Sequence, residues 1–250
     1  MIRAGAAVTA TPAIAVTADA ASVVAARRLA RALDLPFSPS GECNPPLLLR
    51  LTPDRLELYD PALDQRLAVD ITPNDLARGH RLGREPLGRA LGRGTQRVID
   101  ATAGLGGDSV LLAGRCAVTA IERHPVVAAL LNDGVRRAEH SGILQRGHIT
   151  VIAGDARSLL PGLAANADAV FIDPMFPPKR KRSAAVRKEL RLLRLLVGDD
   201  PDADELLAIA RACGKRVIVK RPAAAPPLAP KPVASYPGKL VRYDVYRDHA

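Results

Sequence analysis

Apolar and polar positions are spaced differently in the two parts of this chain. Residues 13–17 form a short apolar run, and residues 19–33 carry Val23, Val24, Leu29 and Leu33 at near-helical spacing. A strand followed by a helix is predicted, with Pro36 as the stop. Residues 47–52 and 55–59 read as two strands about Pro53 and Asp54, a hairpin signal, and residues 66–71 as a third strand. Together they predict a small α+β lobe over residues 1–94. Within it, residues 79–94 are rich in Gly and Arg and read as a linker or as a basic, ordered loop on nucleic acid. The loop is the preferred reading, with His80 and Arg81 as RNA contacts.

From residue 95 to 250 apolar strands alternate with helices, the pattern of a mostly parallel sheet covered on both faces. Strands are predicted at residues 98–101, 117–122, 149–153, 169–173 and 216–220. Helices are predicted from the Gly-rich turn to residue 112, then at 124–140, 184–197 and 203–212. A strand at 240–247, with a weaker partner at 233–236, closes the chain. The fold class is α/β, a Rossmann-like sheet with a small N-terminal α+β lobe.

Composition narrows the picture. Apolar residues make up 48% of the 250 and charged residues 25%, values of a folded globular protein that exclude collagen-like or disordered chains. Lys and Arg number 36 against 26 Asp and Glu, a net charge of +10 that suits a polyanionic partner. Most of that charge is Arg in an Ala-rich chain, as a coding bias would also give, so the placement of the charges matters more than their sum. Cys43, Cys116 and Cys213 are odd in number and lack C-x-x-C spacing, which argues against a disulfide framework and a zinc site and fits a reducing cytoplasm. The N-terminal Ala/Thr/Val stretch is broken by Thr9, Thr11 and Pro12 and lacks a Leu-rich run, so neither a signal peptide nor a membrane span is expected.

Candidate chemistry begins at Asp100, followed by Gly104, Gly106, Gly107 and Asp108 where a strand gives way to a helix. Glycines there let a ligand approach the backbone. A dinucleotide loop would carry Gly or Ala at position 109, and the residue is Ser109. Asp100 is also unfavourable beside a pyrophosphate but suits the cationic end of S-adenosylmethionine, so a methyl donor is preferred over a dinucleotide. Glu122 ends the second strand 18 residues after Gly104, near the spacing at which a carboxylate takes ribose hydroxyls, or else is a solvated strand-end charge. Asp155 could accept from the adenine amine or serve as a helix N-cap.

The fourth strand ends in Asp173, Pro174, Met175 and Phe176, similar to the D/N-P-P-Y/F motif of enzymes that methylate exocyclic amines of bases. The lone pair of such an amine is delocalised into the ring. A carboxylate and a Pro carbonyl that accept its hydrogens localise the pair toward the methyl group, and Phe176 can stack on the extruded base. The alternative is a Pro-rich loop capping a strand. Next come Lys179, Arg180, Lys181 and Arg182, then Arg187 and Lys188, placed to neutralise phosphates or to form a solvated face. Lys220 and Arg221, at the end of the fifth strand, add two cations on the same edge.

These segments, with D-P-M-F-P and V-K-R-P the most specific, resemble the bacterial small-subunit rRNA guanine-N2 methyltransferase family called RsmJ. The resemblance is close over residues 95–250 and looser before them. It implies S-adenosyl-L-methionine as cofactor, a guanine N2 near the 3′ end of 16S rRNA as target, and the rRNA or the small ribosomal subunit as partner, without metal or membrane. It places cofactor contacts on Gly107, Asp108, Glu122, Arg123, Asp155, Ala156 and Asp173. Methylation of adenine N6 or cytosine N4, and a non-catalytic RNA-binding module of the same fold, remain the alternatives; oligomeric state is not legible.

Overall fold

A computed structural model describes residues 13–39, 46–174, 191–193, 196–197 and 202–247. The chain forms two compact units, one of residues 1–67 with 179–198, the other of residues 68–178 with 199–250.

In the first unit β1 (Ile14–Ala18) is buried at all five positions and is followed by α1 (Val23–Ala32). β2 (Leu47–Leu51), β3 (Leu56–Asp60) and β4 (Gln65–Leu67) complete a four-stranded sheet in the order β1-β2-β3-β4. β1 pairs with β2 in parallel, and the other pairings are antiparallel. Thr52 closes the expected hairpin, its hydroxyl accepting from the Arg55 amide at 3.1 Å. Val16, Leu47, Leu49, Leu56 and Leu58 supply the core.

The third strand stops at Leu67, and residues 68–94 pack with the second unit. Residues 79–94, expected as a loop, are largely helical. Thr72 and Asp75 form a reciprocal capping box that starts α2 (Pro73–His80), a 3₁₀ turn covers Leu82–Arg84, and α3 (Pro86–Leu91) follows. Gly79 explains the docking. A β-carbon there would lie 2.3 Å from the Leu111 carbonyl oxygen, so only glycine lets α2 cross the end of α4 (Gly107–Ala113) backbone to backbone.

The second unit carries a seven-stranded sheet. Its strands are β5 (Arg97–Asp100), β6 (Ala117–Glu122), β7 (Ile149–Ala153), β8 (Ala169–Ile172), β9 (Arg216–Pro222), β10 (Ala234–Pro237) and β11 (Val241–Tyr246). Their order is β10-β11-β9-β8-β5-β6-β7. β5 to β9 are parallel, and β11 runs antiparallel to β9. α5 (Pro125–His140), α6 (Ala156–Leu163) and α7 (Ala203–Ala212) connect them. β8 is buried at every position, as a strand covered on both faces must be. Ile99, Ile121, Val170, Ile172, Val217, Val219, Leu207 and Tyr246 belong to one core cluster. The helix expected at 184–197 lies mostly outside the described residues.

From β5 the chain lays β6 and β7 on one side, then returns to place β8 on the other. The carboxyl ends of β5 and β8 therefore flank a topological switch point, where open α/β sheets bind ligands.

Candidate active site

Four charged side chains meet at that switch point. Asp100 ends β5, Asp108 lies in the first turn of α4, Asp173 follows β8, and Lys220 projects from β9. The Lys220 ammonium donates to Asp108 Oδ2 at 2.6 Å and pairs with Asp173 Oδ2 at 2.9 Å. Thr102 fixes the start of the Asp-Pro segment, its hydroxyl accepting from the Asp173 amide at 2.7 Å. Asp100 is buried and accepts from the Ser109 hydroxyl at 2.6 Å and the Thr102 amide at 3.2 Å.

Three carboxylates near one ammonium do not all stay ionised at neutral pH. Burial pushes Asp100 up to about 7 against the Ser109 hydrogen bond, with Asp108 and Asp173 adding to the rise. Burial likewise raises Asp173 to about 6; Lys220 opposes that rise and Asp108 adds to it. Burial works against the Lys220 charge, but Asp173 and Asp108 outweigh it and its pKa is pushed up. Tyr243 of β11, raised to about 12 mainly by burial, also faces Asp108, Lys220 and Asp173.

The glycine loop runs beside this cluster. Gly104 and Gly106 have φ of +54° and +82°, and the sites of missing β-carbons at Gly104 and Gly107 face open space. The backbone there is a cradle that side chains would fill. Glu122, at the end of β6, is buried and holds the loop in place, accepting from the Gly104 amide at 2.8 Å and the His124 amide at 2.7 Å. Beside it the buried Nδ1 of His124 has no hydrogen-bond partner among the described residues, and burial lowers that imidazole's pKa. An open glycine backbone, a strand-end carboxylate, an orphaned ring nitrogen and an acidic cluster for a cationic group fit S-adenosylmethionine.

The comparisons agree with that fit. The SAM-dependent methyltransferase family SAM_MT matches residues 28–248. The ribosomal RNA small subunit methyltransferase J of Thioalkalivibrio sulfidiphilus is 44% identical over 88% of this chain and 92% of its own. That of Nitrosococcus oceani is 41% identical over 90% and 94%. This chain belongs to the ribosomal RNA small subunit methyltransferase J family. It is an S-adenosylmethionine-dependent methyltransferase. A solved SAM-dependent methyltransferase from Neisseria gonorrhoeae shares the fold with a TM-score of 0.70 and 32% identity, covering 93% of this chain and 95% of that one.

For a member of this family the remaining expected site residues divide sharply. Pro174 is buried beside Asp173. Ala156 is buried at the start of α6. Asp155 caps α6, accepting from the Arg157 amide at 2.9 Å, and its carboxylate also takes the Arg157 guanidinium, Nη2 to Oδ2 at 2.6 Å. That hydrogen bonding holds Asp155 below the usual carboxylate range. Arg123 is exposed and pairs with Asp202 at 2.9 Å.

Two residues expected on RNA sit elsewhere. Lys220 is inside the carboxylate cluster, and Arg221 is buried with its guanidinium on the Pro226 carbonyl at 2.8 and 3.0 Å. Arg221 clasps the loop after β9 and presents no charge to phosphate. Successive residues of a strand point to opposite faces, which is why the Lys-Arg pair separates. His80 and Arg81 are exposed as expected, and Arg81 lines a cavity of about 360 Å³ with Arg78, Glu85, Leu111 and Tyr243. Phe176, Lys179, Arg180, Lys181, Arg182, Arg187 and Lys188 lie outside the described residues. Thr102 and Tyr243 were not singled out in the sequence, and Ser109 was read only as a departure from a dinucleotide loop, not as the partner of Asp100. A hydroxyl two residues past Asp100 and another at position 109 were the available signals for Thr102 and Ser109.

No group of three or more His, Cys, Asp or Glu side chains among the described residues is placed to hold a metal ion. Among them, no helix is long and apolar enough to cross a membrane.

Proposed function

We propose that this enzyme methylates the exocyclic N2 amine of a guanine near the 3′ end of 16S rRNA, in the cytoplasm, on the RNA or the small ribosomal subunit. The observation that carries the reading is Asp173-Pro174 at the switch point, with its carboxylate beside the glycine loop. The names of the relatives support the rRNA substrate, and the Asp-Pro motif supports an aromatic amine as the acceptor.

S-adenosylmethionine supplies an electrophilic methyl group. The chain does the rest by binding and orientation. Gly104, Gly106 and Gly107 would offer backbone to the donor, Glu122 would take its ribose, Asp155 and Ala156 would border its adenine, and Asp100 and Asp108 would suit its positive end. Asp173 and the Pro174 carbonyl accept the two N2 hydrogens and localise the lone pair, while Phe176 stacks on the extruded base. The localised lone pair would take the methyl group, and the donor would leave as a neutral thioether that keeps the C–S electron pair. The methylated amine is cationic and strongly acidic, and its extra proton goes to Asp173 and then to solvent. Arg78 and Arg81, with His80 and the basic segment at residues 179–182, 187 and 188, hold phosphates and set position rather than base identity.

Incubating the protein with labelled donor and unmethylated small subunits or naked 16S rRNA, then digesting to nucleosides, tests this. N2-methylguanosine is the expected product. N6-methyladenosine or N4-methylcytidine would overturn the guanine assignment, and no incorporation into either substrate would overturn the rRNA assignment.

A further inference from the structure

Lys220 lies at the centre of the site, and neither the donor nor an aromatic amine explains it. A cation beside the acceptor carboxylate weakens that carboxylate as a base, so a lysine here needs a reason. The neighbours of Asp173 supply one. Facing it are Lys220 from β9, Asp108 from α4, Asp100 from the end of β5, and Tyr243 from β11. Two of these four are carboxyl groups, and Lys220 is the cation on this face among the described residues.

We infer that Lys220 is a positioning residue that keeps Asp173 in its ionised, hydrogen-accepting form by bridging it to Asp108. A protonated Asp173 would present an O–H to the N2 amine, donor against donor, and would no longer pull the lone pair toward the methyl group. Lys220 acts through Asp173 and does not touch the reacting nitrogen. The bridge geometry, with Nζ at 2.6 Å from one carboxylate and 2.9 Å from the other, is what two like charges need to share a site. Without the ammonium, Asp108 acts on Asp173 with nothing opposing it, and the proton of Asp173 is held to higher pH.

This inference rests on Asp173 as acceptor for the base amine, and the test separates the two ideas. First, ¹³C-carboxyl titration of the aspartates is recorded on the full chain without RNA, with the Asp173 signal assigned from its loss in Asp173→Asn. In Lys220→Met the Asp173 midpoint should move up by about one unit or more, and in Lys220→Arg it should return close to the wild-type value. Second, kcat against pH is measured at saturating donor and RNA. The acid limb of Lys220→Met should move up in parallel, giving about a twofold loss at pH 7 for a rise of one unit and about tenfold for a rise of two, recovered near pH 9, with Lys220→Arg restoring the limb. Lys220 reaches Asp100 only through Asp173, whose charge raises Asp100, so a limb that belonged to Asp100 would move down rather than up when Asp173 holds its proton to higher pH.

A folded Lys220→Met with an unmoved Asp173 midpoint overturns the inference, as does a uniform loss of kcat at every pH. Should Lys220→Met not fold, Lys220→Gln takes its place in both measurements with the same expected direction. A wild type that turns over no rRNA would sink the substrate reading, while the carboxyl titration would still decide the role of Lys220.

Discussion

Two clusters of charge lie in the sheet unit, and they behave differently. At the ends of β5, β8 and β9, Asp100, Asp108, Asp173 and Lys220 are wholly or partly buried, and two of the carboxyls titrate near neutrality, at about 7 and about 6. Beyond β6 and β7, Arg123, Arg157, Asp155, Asp202 and Glu205 form a network of comparable size with contacts of 2.5–3.2 Å. There, Asp155 is held low by its hydrogen bonds to Arg157. Contact distances do not distinguish the two clusters. Desolvation does, because it raises a carboxyl's pKa where water is excluded and contributes little where water still screens the charge. The proposed function puts the chemistry in the buried cluster, and the exposed one is the control against which that assignment can be tested.

The largest effect should come from removing the acceptor. Asp173→Ala should lower kcat about 100-fold or more, the scale of a lost acid–base or acceptor group, with donor affinity reduced only modestly. Steady-state turnover and calorimetric titration of the donor read the two quantities. Turnover near wild type would remove Asp173 from the mechanism and erase the contrast between the clusters.

How much of this contrast was legible in the sequence depends on which property encodes it. β6, β7 and α7 fall at the residues their apolar periodicity predicts, and the other sheet strands agree within two residues; β8 is the plainest, because burial on both faces leaves a continuous apolar run. That the glycine loop, Glu122 and Asp173 stand at strand ends was legible, because each follows directly on an apolar run. Residues 79–94 were not. Their Gly and Arg content suggested a loop, yet Gly79 serves a helix crossing whose partner, Gly114, lies 35 residues away in the chain. Lys220 was read as a phosphate contact because a Lys-Arg pair at a strand end looks like one basic patch. Strand alternation sends Lys220 into the carboxylates and Arg221 onto Pro226, a separation that a count of charges does not contain.

The next effect concerns stability and pH. A carboxyl whose pKa is raised on folding favours the folded state while protonated. That contribution is complete below its unfolded pKa near 4 and is lost as pH rises through the folded value. Asp100 should therefore make the protein less stable at pH 8 than at pH 5. From 3.8 to about 7 the shift corresponds to as much as about 4 kcal/mol. Asp100→Asn should flatten that decline in denaturant titrations at several pH values. An unchanged pH slope in the variant would mean that Asp100 stays ionised in the folded protein, and the buried cluster would then be less distinct from the exposed one.

A smaller effect is expected on the RNA side. Arg78 and Arg81 line the 360 Å³ cavity whose wall includes Tyr243, the residue that also faces Asp108 and Lys220. On the proposed function, RNA whose target base enters the Asp173 site passes close to these cations. Replacing both with Ala should reduce the magnitude of the log–log salt slope of RNA binding by about 1.4–1.8, at about 0.7–0.9 per lost phosphate contact, with donor affinity unchanged. Fluorescence anisotropy across a salt series measures it. An unchanged slope would move the phosphate contacts elsewhere, toward the basic segment at 179–182.

The smallest effect should come from the exposed network itself. Arg157 holds Asp155, Asp202 and Glu205 together, so a contact list alone would make it the most important arginine in the unit. Its energetic weight is small. Each of its partners is partly exposed, an exposed ion pair immobilises two long side chains for a weakened Coulomb attraction, and dissolved salt screens what remains. Arg157→Ala should leave the melting temperature within about 2 °C of wild type. Asp155 keeps its backbone cap on Arg157 whatever side chain stands there, because the donor in that bond is the amide. Its carboxylate would be released toward the adenine side of the donor, so donor affinity should change by less than about threefold and in the direction of tighter binding. The kcat–pH profile should not move, since Arg157 is not among the groups that set the pKa of Asp100 or Asp173. A tenfold loss of donor affinity in Arg157→Ala would show that the outer network orders the adenosine site, and the division between a buried reactive cluster and a screened outer one would have to be redrawn.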